Sequence, residues 1–146
     1  MNSVIIISKW EKGWMEPKVE AHQWVSLIKA YNVDELLMVP IKNVVGRIKE
    51  YETIENALNQ YDYPRVFLEP SKNKKIIKNK LISLYSFNHP TNCIYIFGNS
   101  ASGNSSFIRK DDAVVYIPTP KGIELWGVVA CGIVLQDRAN KLWQSQ

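Results

Sequence analysis

The chain has 146 residues, 46% of them hydrophobic, 22% charged and 11% aromatic, with seven glycines and seven prolines; this is the size and make-up of one globular domain with its own core. That balance excludes a disordered, collagen-like or low-complexity chain. Eighteen basic against fourteen acidic residues leave a formal charge of +4, which suits an anionic partner without requiring one, and no apolar run approaches the roughly 18 residues that cross a bilayer.

Val4-Ile5-Ile6-Ile7 is a continuous apolar run of strand length. It has no basic start and is followed at once by Lys9 and Trp10, so it reads as a buried strand rather than a secretory signal, and a cytoplasmic protein with no membrane partner is expected. From Pro17 to Tyr31 the spacing of Val19, Ala21, Val25, Ile28 and Tyr31 predicts a helix, with Pro17 suited to its first turn. Leu36-Leu37-Met38-Val39 is a second strand stopped by Pro40. Thr53 can cap a helix carrying Ile54, Ala57, Leu58 and Tyr61 on one face. Val66-Phe67-Leu68 is a third strand, closed by Glu69-Pro70. Next come Lys72, Lys74, Lys75, Lys78 and Lys80, then Leu81, Ile82, Leu84 and Tyr85, expected to be helical in part. Cys93 to Phe97 is a fourth strand ending in Gly98, and Ala113 to Ile117 a fifth ending in Pro118. A last helix, from about Leu125 to Leu142, is expected to bury Val128, Val129, Ile133 and Val134, with Gly127 and Gly132 weakening it.

Strands that are apolar on both faces and separated by helices imply a mostly parallel sheet covered on both sides. In such α/β sheets the ligand crevice lies beyond the carboxyl ends of the strands. Here those ends are Ser8-Lys9, Pro40-Ile41, Glu69-Pro70, Gly98-Asn99 and Pro118-Thr119.

The loop Gly98 to Ser106 is built of small residues directly after a strand, where backbone N–H groups can approach a ligand. It lacks the Gly-Lys-Ser/Thr ending of a P-loop and the spacing of a dinucleotide fingerprint. The lysine run places five ammonium groups in nine residues, either a solvated face or a phosphate contact. Cys93 and Cys131 stand 38 apart with no CxxC motif and no nearby His cluster; they read as reduced core residues, and no metal is expected. His22, in mid-helix, and His89, just before the fourth strand, each read as structural hydrogen-bonders. Asp111-Asp112 reads as a solvated turn.

Three stretches together resemble the SpoU branch of the SPOUT superfamily, the trefoil-knotted RNA methyltransferases. His89-Pro90-Thr91-Asn92-Cys93-Ile94-Tyr95-Ile96-Phe97-Gly98 is similar to that family's His-Pro, two residues, apolar strand and Gly. Val114-Val115-Tyr116-Ile117-Pro118 resembles its strand ending in Ile-Pro. Glu124 to Arg138 resembles its Ser-Leu-Asn opening followed by an apolar helix ending in Asp-Arg. Lys18 to Asp34 matches a family helix more loosely, through Tyr31-Asn32-Val33-Asp34.

The resemblance implies a single α/β-knot domain over residues 1–146, with a mostly parallel sheet of five or six strands and helices on both faces. It implies a homodimer whose last helix packs at the twofold, and S-adenosylmethionine held by Leu68, Glu69, Phe97, Gly98, Ile117, Leu125 and Trp126. The implied reaction is 2′-O-methylation of a ribose in tRNA or rRNA, with Lys72, Lys74, Lys75, Lys78 and Lys80 as candidate RNA contacts. The departures fall on the family's chemistry. Its first-motif Asn and Arg align with Glu20 and Ser26, its glycine-loop Glu with Ser100, and its last-motif Ser and Asn with Glu124 and Trp126. Glu20, Ser26 and Glu124 therefore hold the catalytic positions. Candidates near the strand ends to take the proton from the hydroxyl are Glu20, Glu69, His89 and Glu124, with Lys9 as a charge stabiliser; of these Glu124 opens the helix that borders the knot loop, and the helix N-terminus makes it a weak base. Weak or absent cofactor binding and slow transfer are expected. Two further readings stand beside the enzyme: a lapsed SPOUT domain binding RNA or protein as a homodimer, and a domain binding a nucleoside-like small molecule. Trp126 separates them, according to whether its indole fills the pocket or stacks on a ligand ring.

Overall fold

Strands β1 (Val4–Lys9), β2 (Glu35–Val39), β3 (Ile48–Glu50), β4 (Arg65–Leu68), β5 (Leu81–Ser83), β6 (Cys93–Phe97) and β7 (Ala113–Tyr116) form one sheet in the order β3-β2-β1-β6-β4-β7-β5. Every pairing is parallel. The structure, a computed structural model, describes residues 3–10, 17–44, 46, 48–70, 80–98 and 104–144.

The two-residue side-chain period of a strand sorts the central residues into two cores. On one face Ile6, Leu36, Met38, Val66, Tyr95 and Phe97 pack under helices α1 (Pro17–Ala30) and α3 (Gly127–Gln144), which contribute Ala21, Trp24, Ile28, Ala130, Cys131 and Val134. On the other, Ile5, Ile7, Leu37, Phe67, Ile94 and Ile96 meet the short helix α2 (Ile54–Leu58) through Ile54, Ala57 and Leu58. The Thr53 side chain caps α2, accepting from the Asn56 N–H at 3.1 Å. Both cysteines are free and buried.

The sheet has seven strands, not five or six. β3 and β5 are three-residue edge strands, and of their six residues only Ile48 is buried, so neither carries the apolar run by which the other five are read. Leu81-Ile82, expected to be partly helical, is strand, and a 3₁₀ turn covers Leu84–Ser86. Val129 and Ile133 are not buried as expected but lie 49% and 39% exposed on the outer side of α3. Among the described residues no helix is long and apolar enough to cross a membrane.

A buried polar network fastens the second half of α3. Arg138, 6% exposed, donates through Nη1 to Pro90 O at 2.6 Å and the Tyr95 hydroxyl at 3.0 Å, and through Nη2 to Thr91 O at 2.7 Å. His89 Nδ1 lies 2.7 Å from the Tyr95 hydroxyl and Nε2 lies 2.7 Å from Asp137 Oδ2. Because Arg138 donates to the Tyr95 oxygen, the network assigns Tyr95 O–H as donor to Nδ1 and leaves Nε2–H for Asp137. Burial pushes His89 below its ordinary pKa, against the pull of Asp137. Lys141 closes the set, 2.8 Å from Asp137 and donating to the carbonyls of Leu84 and Phe87. His89 is thus a structural hydrogen-bonder, as its sequence context suggested.

Candidate active site

The carboxyl ends of β4, β6 and β7 and the first turn of α3 border an open cleft. Its apolar walls are Leu68, Phe97, Val115, Ile117, Leu125 and Ala130. Its polar lining includes Glu69, Thr119 and Glu124, and Gly98, Gly122 and Gly127 bring main chain to the surface.

Local sequence explains the shape. Thr119-Pro120-Lys121-Gly122 is a β-turn closed by the Gly122 N–H on Thr119 O at 3.0 Å. Proline stands second, and glycine stands fourth with a left-handed φ of 65°. A Cβ on Gly127 would lie 3.5 Å from Gly98 O and 3.5 Å from Trp24 Cζ2, ordinary contact distances, so α3 begins directly against the end of β6. Behind that contact Trp24 meets Phe97 edge-on, ring centroids 6.0 Å apart. The Trp24 indole N–H is buried with no hydrogen-bond partner among the described residues.

Glu69, the residue after β4, extends the ladder through its N–H to Val115 O at 3.0 Å. It is 5% exposed, and its Oε1 accepts from the Asn104 N–H at 2.9 Å. The Asn104 side chain is fully buried, and neither atom of its amide has a partner among the described residues. Glu124 is exposed at the rim.

Six of the seven residues expected at a cofactor line this cleft: Leu68, Glu69, Phe97, Gly98, Ile117 and Leu125. Trp126 does not; it is 62% exposed. Of the three expected catalytic residues, Glu124 is at the cleft, whereas Glu20 and Ser26 lie on α1 and do not line it. Ser26 is exposed, its hydroxyl donating to His22 O at 3.0 Å within the helix. Lys72, Lys74, Lys75 and Lys78, and Ser100, fall outside the described residues. Lys80 immediately precedes β5, at the amino end of a strand and so away from the cleft, and donates to the carbonyls of Arg109 and Lys110, each at 2.8 Å. The Asp111-Asp112 stretch is a turn, closed by the Arg109 N–H on Asp112 Oδ2 at 2.7 Å.

Sequence reasoning missed Gly122 and Ile123, which the Pro-x-Gly turn could have flagged; it marked Thr119 only as a strand end and Asn104 only as part of the small-residue loop. Among the described residues no three His, Cys, Asp or Glu side chains gather as a metal site would require.

No protein-family model matches the chain, and no curated protein matches it. Solved structures do. The chain is similar to the A. aeolicus TrmH/SpoU tRNA modifying enzyme, with 15% identity and a TM-score of 0.75 over 99% of this chain and 78% of that one. A structure bearing on 2-OH methylation of C/U34 on tRNA gives 14% and 0.73, over 98% of each chain. An AdoMet-bound rRNA methyltransferase from Sinorhizobium meliloti gives 11% and 0.70, over 96% of this chain and 57% of that one. At these identities the likeness is one of fold: the α/β architecture is that of the SpoU/TrmH methyltransferase structures.

Proposed function

We propose that this chain is an S-adenosylmethionine-dependent RNA methyltransferase of the SpoU/TrmH kind, acting on a ribose 2′-hydroxyl of tRNA or rRNA as a cytoplasmic homodimer. The observation that carries the reading is the convergence, on one cleft at the strand ends, of six residues that the sequence resemblance assigns to the cofactor. The residues present fit such a ligand. Apolar walls from Leu68, Phe97, Ile117 and Leu125 suit an aromatic base, while main chain around Gly98 and Gly122 and the Glu69 carboxylate offer polar partners.

S-adenosylmethionine supplies an electrophilic methyl on a sulfonium; the S–CH₃ bond breaks as the O–CH₃ bond forms, and the hydroxyl proton must go to a base. Glu124, at the rim, is the residue of this chain placed to accept it. Ser26 brings no cation to the family's Arg position, so transfer is slow. The homodimer is supported by an apolar stripe on α3: Trp126, Val129 and Ile133, at i, i+3 and i+7, all exposed beside a groove that includes Leu84, Tyr85 and Val128. Trp126 thus belongs to the dimer face rather than to the pocket. A trefoil knot is part of the proposal. It is supported by the strand order, in which β7 is inserted between β4 and β5, which follow one another in the chain.

Calorimetric titration with S-adenosylmethionine tests the reading. Weak but saturable binding is expected, with slow methyl transfer to tRNA or rRNA; no binding would sink the enzyme and leave the lapsed domain. Light scattering at micromolar concentration should give about twice the 16.8 kDa chain mass. Lys74→Glu with Lys78→Glu should weaken RNA binding for all sequences alike and flatten its salt dependence, by roughly 0.7 in log–log slope per lost phosphate contact on a single strand. Unchanged binding would leave the lysine run a solvated face.

A further inference from the structure

The anchor of α3 and the groove beside its apolar stripe share residues. Asp137 lines the groove with Leu84, Tyr85 and Ile133. Its Oδ2 also lies 2.7 Å from His89 Nε2 and 2.8 Å from Lys141 Nζ. Lys141 in turn donates to Leu84 O and Phe87 O, the carbonyls that begin and follow the 3₁₀ turn carrying Tyr85. The two walls of the groove, α3 and that turn, are thus tied together from behind by His89, Asp137 and Lys141.

The His89 side chain is fully buried and both ring nitrogens are engaged. Nδ1 accepts the Tyr95 O–H and Nε2–H goes to Asp137, an arrangement that needs the neutral ring. A proton on Nδ1 turns that acceptor into a donor facing the Tyr95 hydroxyl, whose own hydrogen must then leave. The Tyr95 oxygen already takes Arg138 Nη1–H at 3.0 Å. The groups around the ring are Tyr95 and Cys93 from β6, Asp137, Arg138 and Lys141 from α3, and the Phe87 ring, edge-on at 5.0 Å. Burial holds the Tyr95 and Cys93 protons in place, so neither supplies a counter-charge. Asp137 favours a charged ring, and Lys141 and Arg138 oppose it.

We propose that His89 is a proton-operated latch on the dimer face: neutral, it ties α3 to the turn that completes the groove; protonated, it releases them and the dimer comes apart. The proposal rests on the homodimer reading and adds its regulation. Ala130, Cys131 and Val134 keep the first half of α3 packed on the sheet, so release is confined to the second half and the turn. Once released into water, His89 returns to its ordinary range. The released form therefore gains on the latched one as pH falls below about 6.5.

The experiment is light scattering of the purified full chain over a dilution series, which gives the dimer dissociation constant at each pH. Between about pH 7.5 and pH 5.5 that constant is expected to rise at least about tenfold, since two histidines per dimer take up protons more readily in the released form. His89→Gln keeps an acceptor for the Tyr95 O–H and a donor for Asp137 but does not titrate. Its dissociation constant should stay within about twofold over the same range. In the parent, the His89 ring resonance should titrate in step with dissociation, a measurement that serves if the variant fails to fold. His22, exposed on α1, supplies the reference resonance. A dimer that persists unchanged at the lower pH overturns the latch and leaves the homodimer standing. Dissociation that survives in His89→Gln, or that follows His22 instead of His89, overturns the assignment to this residue. A monomer at the higher pH overturns the homodimer reading and the latch with it.

Discussion

The molecule has two buried polar regions, and they are opposites in how fully their groups are paired. Around α3's second half, the polar side-chain groups of Arg138, Tyr95, His89, Asp137 and Lys141 all meet partners within 3.0 Å. Around the cleft, the indole N–H of Trp24 and both amide atoms of Asn104 are buried with no partner among the described residues. A satisfied network rigidifies and specifies a core, whereas an unsatisfied group costs its full desolvation. The contrast separates an anchor from a site: the chain holds α3 at one end so that its first turn can border a cleft that is incompletely satisfied.

Breaking the anchor should have the largest effect. Arg138→Ala leaves two backbone carbonyls and the Tyr95 hydroxyl without a donor, and a cavity where the guanidinium packed at 6% exposure. Loss of a buried, hydrogen-bonded charge typically costs about 3–5 kcal/mol. Urea unfolding should show a midpoint far below the parent's at unchanged slope. A loss under about 1 kcal/mol would mean that the helix is held by its apolar face alone.

The same anchor titrates. Burial lowers the His89 pKa below its ordinary 6.5, with Lys141 and Arg138 adding to the shift and Asp137 opposing it. Below about pH 6.5 the unfolded chain therefore binds more protons than the folded one, and stability rises with pH through that range. The contribution of neutral His89 is complete above 6.5 and is lost as pH falls through its folded pKa. Melting temperature should drop on acidification from pH 7 to pH 5, by less than Arg138→Ala lowers it, and His89→Gln should flatten the slope. An unchanged slope in that variant would move the sensitivity to carboxylates elsewhere.

How much of this was legible in the sequence differs between the regions for physical reasons. β1, β2, β4, β6 and β7 announce themselves because burial on two faces demands unbroken apolar runs; β3 and β5, at the edges, carry no such demand. The cleft's main walls were readable because a parallel sheet places its ligand at strand ends, and the residues after Leu68, Phe97 and Tyr116 are those ends. The position of Trp126 was not. Its spacing with Val129 and Ile133 marks a helical stripe, but periodicity cannot say whether a stripe faces the core or another surface. The anchor was visible only as isolated residues: His89 and Asp137 are 48 positions apart, and only the fold brings them together.

The sharpest comparison comes from a small effect of opposite sign. Asn104→Leu removes both unpartnered amide atoms and fills nearly the same volume, while the main-chain N–H that holds Glu69 is untouched. Replacing an unsatisfied buried amide by an apolar group of similar shape removes a desolvation penalty of about 1–3 kcal/mol, less whatever repacking costs. A net gain of about 1 kcal/mol is expected, read as a rise in urea midpoint. Where Arg138→Ala shows that polar groups hold the anchor together, Asn104→Leu should show the cleft region becoming more stable when a polar group is taken away. A site kept ready for a ligand gives up stability in this way, because its donors and acceptors await partners that arrive from outside. The paired measurement is S-adenosylmethionine affinity. A more stable variant that binds less well makes the amide part of the ligand's shell, and a destabilised one would show that Asn104 is already paired in solution and that the two regions do not differ in kind.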